Sequence, residues 1–395
     1  MKIKVAKSDL VYALRTVTPS VSFTGGDLSS HYLFRIKSDT NDEVEILTYS
    51  GAVFAIAPLI CVVDREEDDS ESFTLEAKRL DLWLSAVSDT ALTLHNEGAV
   101  TTATSPRGNQ VFSSLDPDSF PHWDNTYAEA DKTATLCAEN LKEAFAHVKP
   151  FVCTNDTDKQ DHIICLTQVR DGCFWATDKA KATVVRVLGL EGCALASGFD
   201  RISKVIKFLE TCEDHDVEVF EHPRAVIYRR DDGAIFGESR PQAVFPTLQV
   251  GQDIPNQHRW TLNKEEILSA LLFLRSGADA EDKVVHFRLG EDDIIEIGMA
   301  LVAANTSDLV PPMKYLSLKC FGMQREEDAA DLILAREENG FSILYPHLER
   351  VLELHPDNEI VVGINQKGKG GWLRFDSEHA NGDTYWSIIP WFNLV

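Results

Sequence analysis

Apolar residues recur at helical spacing directly after a strand-like run at three places along the chain. The three segments are 3–14 (IKVAKSDLVYAL), 134–145 (ATLCAENLKEAF) and 259–271 (RWTLNKEEILSAL). In each segment an alternating apolar start is followed by a polar stretch and then by apolar positions three or four residues apart, which is the spacing of one helix face. The pattern therefore predicts three β-strands that each lead into an amphipathic helix.

The three segments align position by position, which indicates an internal repeat. Equivalent apolar positions are Val5, Leu136 and Leu262, then Leu10, Leu141 and Ile267, then Ala13, Ala144 and Ala270. The offsets of 131 and 126 residues are too long for a solenoid turn and correspond to whole domains.

A second helical pattern lies midway through each repeat, at 75–88, 197–212 and 345–355. Alternating apolar stretches such as 44–63 and 217–239 follow or separate the helices and predict hairpins, with turns at 229–234 (RRDDGA) and 366–371 (QKGKGG). Each repeat therefore reads helix, strands, helix, strands, which is an α+β domain of roughly 125 residues, near the commonest domain size.

The repeats also end alike. The first two close on a Phe-Pro pair, Phe120-Pro121 and Phe245-Pro246, and WSIIPWF at 386–392 takes that place in the third. We predict three tandem domains with the boundaries 1–126, 127–253 and 254–395.

The composition is that of an ordinary globular protein, but the chain is strongly acidic. Of its 395 residues, 44% are hydrophobic and 26% are charged, and the formal net charge is −25. A protein that grips nucleic acid with its whole surface needs a basic footprint, so that class is excluded. A locally basic surface on an acidic body remains compatible with the composition.

Several function classes have no support in the sequence. No apolar run approaches the roughly 18 residues of a membrane span, and the start MKIKVAKSDL lacks the apolar core of a secretory signal. The eight cysteines form no CxxC pair, so we expect a cytoplasmic protein without disulfides and without a membrane partner. The segment 212–222 mixes Cys, His and acids but matches no zinc spacing, and the glycine-rich 365–371 lacks a P-loop. We therefore expect no metal, no cofactor and no catalytic residues.

Four stretches resemble the bacterial DNA polymerase III β sliding clamp family. They are 47–62 (LTYSGAVFAIAPLICV), 112–123 (FSSLDPDSFPHW), 175–185 (WATDKAKATVV, where the family carries ATDGHRLA) and the terminal IIP. The likeness extends over the whole chain. The third repeat is longer, with additional residues within 302–328, which favours a phage- or plasmid-borne relative.

The resemblance implies a fold and a function. It implies three domains of the DNA-clamp fold in each chain and a head-to-tail, ring-shaped homodimer, with helices lining a central channel and sheets on the outer rim. Such a ring slides on double-stranded DNA without sequence preference, tethers a DNA polymerase and a clamp loader, and is not an enzyme.

The resemblance also implies a pocket for short partner peptides between the second and third domains. Carried over by motif, it comprises Thr177, Lys179, Lys181, Ala182, Pro246, Val250, Ser387, Ile388, Ile389, Pro390 and Trp391. Alternate residues of the tail are then expected to face the core and the groove. Lys179 to Ala182 stand where the family has Gly-His-Arg-Leu, and Trp391 replaces a flexible Met, so the pocket is reshaped.

The six helices proposed to face DNA are much less acidic than the rest of the chain. Twelve basic and eleven acidic residues lie in these helices, predicted at 7–21, 76–88, 137–153, 198–212, 263–278 and 345–356. The basic residues are Lys7, Arg15, Lys78, Arg79, Lys142, Lys149, Arg201, Lys204, Lys207, Lys264, Arg275 and Arg350. Scattered cations on helices suit loose contact with phosphates, although solvated helix faces of many proteins also carry them.

At the dimer seam, the resemblance pairs Phe112 of one subunit with Ser276, Gly277 and Ala278 of the other. These three residues stand where the family has larger aliphatic residues.

A rival hypothesis from another functional class fits the same fold. In it, the chain is a clamp-fold interaction protein, or an acidic decoy, that sequesters replication or defence partners without sliding on DNA.

Overall fold

The computed structural model describes most of the chain. The described residues are 1–24, 26–37, 43–65, 70–121, 123–154, 165–178, 181–212, 215–241, 258–276, 284–289, 294–302, 309–310, 312, 315–319, 321–325, 340–367, 370–378 and 384–392.

Strands and helices alternate in the first third of the chain as the repeat predicts. They are β1 (Lys2–Ala6), α1 (Lys7–Val17), β2 (His31–Ile36), β3 (Val44–Ser50), β4 (Val53–Leu59), β5 (Cys61–Asp64), β6 (Ser72–Glu76), α2 (Ala77–Ala86), β7 (Ala91–Glu97), β8 (Val100–Ser105), β9 (Gly108–Ser113) and α3 (Asp124–Ala128). Short 3-10 turns are formed by Thr18–Ser20, Leu28–Ser30 and Pro117–Ser119.

The middle third repeats this order. It contains β10 (Asp131–Cys137), α4 (Ala138–Val148), β11 (Leu166–Arg170), β12 (Cys173–Thr177), β13 (Ala182–Arg186), β14 (Ala196–Gly198), α5 (Phe199–Leu209), β15 (Asp216–His222), β16 (Ala225–Arg230) and β17 (Ile235–Ser239). A 3-10 turn, Lys149–Phe151, follows α4 as Thr18–Ser20 follows α1.

The last third has the same order with additional short strands. It contains β18 (His258–Asn263), α6 (Lys264–Ser276), β19 (Val284–Leu289), β20 (Ile294–Val302), β21 (Leu309–Val310), β22 (Leu316–Lys319), β23 (Phe321–Arg325), β24 (Phe341–Leu344), α7 (Tyr345–Leu354), β25 (Glu359–Lys367), β26 (Gly370–Glu378) and β27 (Thr384–Phe392). The predicted helices and the hairpin across 365–371 are confirmed, because Lys367 pairs with Gly370.

Six helices begin at the residue directly after a strand. At the first of the two helices in each repeat, the same backbone hydrogen bond recurs. The first amide of the leading helix donates to a carbonyl beyond the second helix of the same repeat. The three bonds are Lys7 to Thr90 (2.8 Å), Ala138 to His215 (3.2 Å) and Lys264 to Asn358 (2.7 Å). Because the first amides of a helix have no partner within it, this bond satisfies one of them at the same place in every repeat.

Each helix forms because one face can leave water. On α5, for example, Ile202, Val205, Phe208 and Leu209 are buried at the three- and four-residue spacing of one helix face. Full burial of such a side chain contributes roughly 1.5–3 kcal/mol, so the apolar face fixes the helix on the sheet beneath it.

The chain forms two compact units. The first comprises Met1–Ala146 with Gly189–Gln242, and the second comprises His147–Leu188 with Ala243–Val395. The predicted second domain thus contributes to both units, and its boundaries remain a prediction.

The first unit contains a sheet of five strands in the order β5-β1-β7-β8-β9 and one of eight in the order β10-β15-β16-β17-β4-β3-β2-β6. The eight-stranded sheet joins two repeats through antiparallel β4 and β17. Gly237 of β17 lies opposite Phe54 of β4, and a Cβ atom there would be 2.1 Å from the Phe54 ring. A glycine is therefore required for this close approach.

In the second unit, neighbouring strands join two repeats in the same way. The order β11-β12-β13-β27 leads from strands of the second repeat to the C-terminal strand. None of the helices among the described residues combines the length and apolarity needed to cross a lipid bilayer.

Candidate functional site

The apolar C-terminal stretch forms a strand within the sheet of the second unit. Strand β27 pairs with β13 on one side and with β26 on the other, so that Ala182 lies opposite Ile388 and Trp372 opposite Pro390. The residues from Trp386 to Ile389 are all buried. The expected alternation between core and groove is therefore not observed over these four residues, because the strand is covered on both faces.

Aromatic side chains cover the junction between β13 and β27. Ala182, Val184, Trp386 and Ile388 form a buried cluster. Trp175 packs edge-on against Trp386, with ring centroids 5.8 Å apart. The junction is therefore an apolar core cluster built by two repeats, with Trp175 partly buried against it.

A buried polar network lies beside this cluster. The Thr183 hydroxyl is 3.1 Å from Nε2 of His147 and 2.9 Å from the Ser387 hydroxyl, and it lies 3.0 Å from the Trp386 carbonyl as a donor. The Ser387 hydroxyl is also 3.4 Å from His147 Nε2. Because buried polar groups are costly unless they are hydrogen-bonded, these bonds tie the end of α4 to the tail strand.

The turn between β12 and β13 is held by its own side chains. The Thr177 hydroxyl donates to the Lys181 carbonyl (2.8 Å), and the Lys181 amide donates to Oδ1 of Asp178 (2.9 Å). The Lys181 ammonium is 3.4 Å from Asp178 Oδ2 and 5.8 Å from the centroid of the Phe151 ring. The cation is thus directed along the turn and over an aromatic ring.

His347 of α7 lies in the electrostatic field of this turn. Burial lowers the pKa of His347, the positive charge of Lys181 lowers it further, and Asp178 acts in the opposite direction. We infer a neutral imidazole at neutral pH, and its Nδ1 atom is buried without a hydrogen-bond partner among the described residues.

The structure brings together most of the residues predicted for the peptide pocket. Those found on adjoining strands and turns of the second unit are Thr177, Lys181, Ala182, Ser387, Ile388, Ile389 and Pro390. The backbone of Trp391 pairs with that of Gly371. Lys179, Pro246 and Val250 lie outside the described residues.

Many of the cations predicted to face DNA already have partners within the chain. Seven contact a carbonyl or a carboxylate, namely Lys7, Arg79, Lys142, Arg201, Lys264, Arg275 and Arg350. The remaining five make no hydrogen bond or ion pair with a described residue, and these are Arg15, Lys78, Lys149, Lys204 and Lys207. Contact with phosphates is least hindered at these five.

Lys7 and Lys264 have a structural role that the sequence did not indicate. Lys7 donates from Nζ to the Val87 carbonyl just beyond α2, and Lys264 donates from Nζ to the His355 carbonyl just beyond α7 (2.7 Å). A cation at a helix C-terminus satisfies a free carbonyl and interacts favourably with the helix dipole. Both lysines therefore fasten the two helices of one repeat to each other.

The residues predicted for the dimer seam differ in exposure. Phe112 is buried, with the Arg79 guanidinium 5.5 Å from its ring centroid, whereas Ser276 is exposed. Gly277 and Ala278 lie outside the described residues. Leu272 and Phe273, at the end of α6, are 67% and 66% exposed and were missed by the sequence reasoning, although the run LLFL at 271–274 is apolar around the whole helix.

No family model and no curated protein sequence matches this chain. Solved structures do. A putative DNA polymerase III β subunit from Eubacterium rectale aligns with a TM-score of 0.79 over 99% of both chains at 11% identity. The DNA polymerase sliding clamp of Bacillus subtilis aligns with a TM-score of 0.75 over 99% of this chain and 98% of its own at 15% identity.

A third structure is the DNA polymerase III β sliding clamp of Bartonella birtlesii bound to griselimycin. It aligns with a TM-score of 0.77 over 100% of this chain and 99% of its own at 14% identity. The resemblance inferred from sequence motifs is thereby confirmed for the fold. Over nearly its entire length, the chain has the fold of the DNA polymerase III β sliding clamps.

Proposed function

We propose that this chain is a non-catalytic DNA sliding clamp. Two copies join head to tail into a ring that encircles duplex DNA, and short linear motifs of a polymerase and a clamp loader dock beside β27. The protein acts in the cytoplasm of a bacterial cell, or of an infected cell if it is phage-encoded. The full-length fold match supports this proposal, and one further observation carries it.

That observation concerns the pairing of strands between consecutive repeats. Such a junction forms twice among the described strands, and the equivalent strand of the third repeat has no partner from another repeat. The third strand after the first helix of one repeat pairs with the last strand of the next repeat, as β4 with β17 and β13 with β27. In the third repeat the two-residue strand β21 is inserted, so the equivalent strand is β22, the fourth after α6, and it pairs with β20 alone among the described strands. Its missing partner would be the last strand of a first repeat, β9, which ends the five-stranded sheet.

Side-chain burial supports the same arrangement. Thr16 and His147 occupy equivalent positions on α1 and α4 and are 0% and 5% exposed at the two closed junctions. The equivalent residue on α6 is Phe273, which is 66% exposed. A large apolar side chain at an open junction favours burial by a second subunit, and a heterologous contact of this kind closes into a ring when its rotation allows.

DNA contact is assigned to the helix cations that have no partner among the described residues. Such cations contact phosphates without reading base sequence, and the contact weakens as salt rises. We expect the double substitution Lys78→Glu and Lys149→Glu to shorten retention on DNA, because both side chains are free to meet phosphates. Substituting Lys264, which caps a helix, is expected to affect folding first.

The peptide pocket is assigned to the β13–β27 junction and the adjacent turn. An apolar groove with a few fixed polar groups is what capture of a short peptide requires. Griselimycin, which occupies the Bartonella clamp structure, is a suitable probe for this chain. We expect Trp391→Ala to weaken griselimycin binding by at least about tenfold, because aromatic anchors dominate such sites, while the melting temperature changes little.

Two measurements test the proposal as a whole. Sedimentation at micromolar concentration should give about twice the 44.1 kDa mass of one chain, and electron micrographs should show rings. After loading on nicked circular DNA, the protein should remain bound in high salt and leave when the circle is cut. A strictly monomeric protein that still binds replication proteins would instead establish the clamp-fold decoy.

A further inference from the structure

The first unit contains an open groove of about 780 Å³ with an apolar floor, for which the proposed DNA contact has no use. It lies among α1, α2, α5 and the turn that follows α1. Its floor is apolar and is formed chiefly by Val11, Leu14, Val21, Phe23 and Leu84. Val11 and Phe23 are exposed, so the groove presents large apolar surface to the solvent.

The rim of this groove is positively charged, although the chain as a whole is acidic. Lys7, Arg15, Lys204 and Lys207 line it, against only two carboxylates, Asp81 and Glu210. Asp81 accepts a hydrogen bond from the Tyr32 hydroxyl at 3.2 Å, which occupies it within the fold. Positive charge therefore predominates where a ligand would bind.

Three of these cations have no counter-ion in direct contact. Arg15, Lys204 and Lys207 make no hydrogen bond or ion pair with any residue in the described part of the chain. Burial lowers the pKa of Lys204, and the neighbouring cations Arg201 and Lys207 lower it further, while Asp200 acts in the opposite direction. An anionic group placed in the groove would relieve this unfavourable clustering of charge.

Contact with phosphates does not explain why the floor of the groove is apolar. Contact with a DNA backbone needs cations but no apolar hollow, and a single-stranded base needs aromatic platforms, of which the lining offers only Phe23. A segment that inserts apolar side chains and carries carboxylates beside them matches both the floor and the rim. Among macromolecular ligands, this combination is found in acidic linear motifs.

The internal repeat places the groove at a position equivalent to part of the β13–β27 site. The turn Thr18–Ser20 follows α1 and contains Pro19, just as Lys149–Phe151 follows α4 and contains Pro150. Helix α5, the second helix of its repeat, packs on the turn Thr18–Ser20. Helix α7 is the second helix of the next repeat. Equivalent elements of the repeat therefore occur at both places, and the cationic rim belongs to the groove in the first unit.

We propose that this groove is a second docking site, which binds a short linear segment of a partner protein that carries at least two large apolar side chains flanked by Asp or Glu. The site lies within one unit and depends neither on ring closure nor on the β13–β27 pocket, and it shares the cations Arg15, Lys204 and Lys207 with the proposed DNA contact. It gives the protein two docking surfaces with different charge preferences, so that two motifs can be held at once.

The test measures the affinity of the full-length protein for a labelled ten-residue peptide by fluorescence anisotropy. The peptide contains two Leu-Phe pairs flanked by Asp and Glu. Phe23→Ala removes an exposed floor residue, and the double substitution Lys204→Glu and Lys207→Glu reverses the rim. Each is expected to weaken peptide binding by about tenfold or more, equivalent to roughly 1.4 kcal/mol. A version of the peptide with Asn and Gln in place of the acids should bind more weakly.

Matched controls lie outside the lining of the groove. Leu82→Ala removes an exposed apolar residue of α2 and Arg107→Glu reverses an exposed cation between β8 and β9, and both should leave peptide affinity within about twofold. Unchanged thermal unfolding of Phe23→Ala shows that its effect is local.

Three results would overturn the proposal. One is the absence of peptide binding up to about 100 µM peptide. Another is peptide binding that Phe23→Ala leaves intact and Trp391→Ala abolishes, which places the peptide in the other pocket. The last is displacement by a 30-base-pair duplex with no effect of Phe23→Ala, which makes the groove a DNA-facing surface only.

Discussion

Ser197 and Tyr228 both direct hydroxyl groups at the buried carboxyl group of Glu238. The Ser197 hydroxyl donates to Oε2 at 2.8 Å and the Tyr228 hydroxyl to Oε1 at 3.3 Å. Burial raises the pKa of Glu238 to about 7, and these hydrogen bonds and Arg201 only partly oppose it. Because the unfolded pKa is 4.5, the folded protein binds the proton more tightly than the unfolded chain.

This buried carboxyl group predicts a pH dependence of stability. Its contribution is fully present below pH 4.5 and is lost as pH rises through about 7, since the folded pKa is the higher one. Glu238→Gln should remove roughly 2–3 kcal/mol of that dependence, measured as the free energy of unfolding between these pH values. Glu97→Gln, at an exposed site, is the control, and parallel curves for wild type and Glu238→Gln would contradict the assignment.

The sequence predicts that Lys7 and Lys264 face DNA, and in the structure both form hydrogen bonds that support the fold. Each begins a helix and reaches a carbonyl just beyond the second helix of its repeat. Their charge is directed at a helix terminus, where it is favourable.

We therefore expect Lys7→Ala to lower the free energy of unfolding by about 1 kcal/mol, the usual contribution of a partly buried hydrogen bond near a helix end. Lys4→Ala is the matched control, because Lys4 has only an exposed contact with Asp64 at 4.0 Å and such pairs contribute little. Denaturant titration of both variants measures the difference. Equal stability of the two variants would show that the cap has no energetic role.

Among the elements, β27 links its own repeat to the preceding one. It completes a sheet with β13, and the network of His147, Thr183 and Ser387 fixes the pair in register. A polar network buried in an apolar sheet specifies one alignment of the strands, because any other leaves its groups without partners.

Thr183→Val is expected to destabilise the protein by roughly 1–3 kcal/mol, because the change keeps the shape of the side chain but removes bonds to buried polar groups. Thr102→Val, on β8 and partly buried, provides the same chemical change away from the junction and should lie within about 0.5 kcal/mol of wild type. Thermal unfolding compares them. A loss no larger than that of the control would mean that solvent or another group replaces the Thr183 bonds.

For the whole molecule, the proposed head-to-tail dimer depends on the difference between the two closed strand junctions and the open one. Leu272 and Phe273 are the most exposed large apolar residues on α6, and the residues equivalent to Phe273, Thr16 and His147, are buried. Their burial would need a partner strand, which the proposed head-to-tail dimer supplies.

We expect Phe273→Asp to raise the dimer dissociation constant at least about tenfold, since a buried aromatic residue at an interface often contributes more than 1.4 kcal/mol. Leu82→Asp is the control, because Leu82 is also exposed but stands on α2. Sedimentation over a concentration series measures both. Identical dimerisation of the two variants would move the interface away from α6.

Much of the repeat was available from the sequence, because a strand followed by an amphipathic helix has a strong local pattern. The openings at Val5, Leu136 and Leu262, the helices they precede and the hairpin turns near 231 and 368 depend on residues close together in the chain. Periodicity of apolar residues reports directly which face is buried. The sliding-clamp likeness followed from motifs of the same local kind.

The candidate sites needed the tertiary structure, since their residues come from distant parts of the chain. Thr183 contacts Ser387 across about two hundred residues of sequence, and Lys7 contacts Val87. The exposure of Phe273 is informative only beside the burial of Thr16 and His147 at the equivalent positions. The sequence by itself determined the repeated α+β units, their helices and the apolar tail. Only the tertiary structure decided which helix cations have no partner among the described residues, that Trp386 to Ile389 are all buried and that a cationic groove opens beside α1, because pairing and burial depend on contacts between segments that no local pattern encodes.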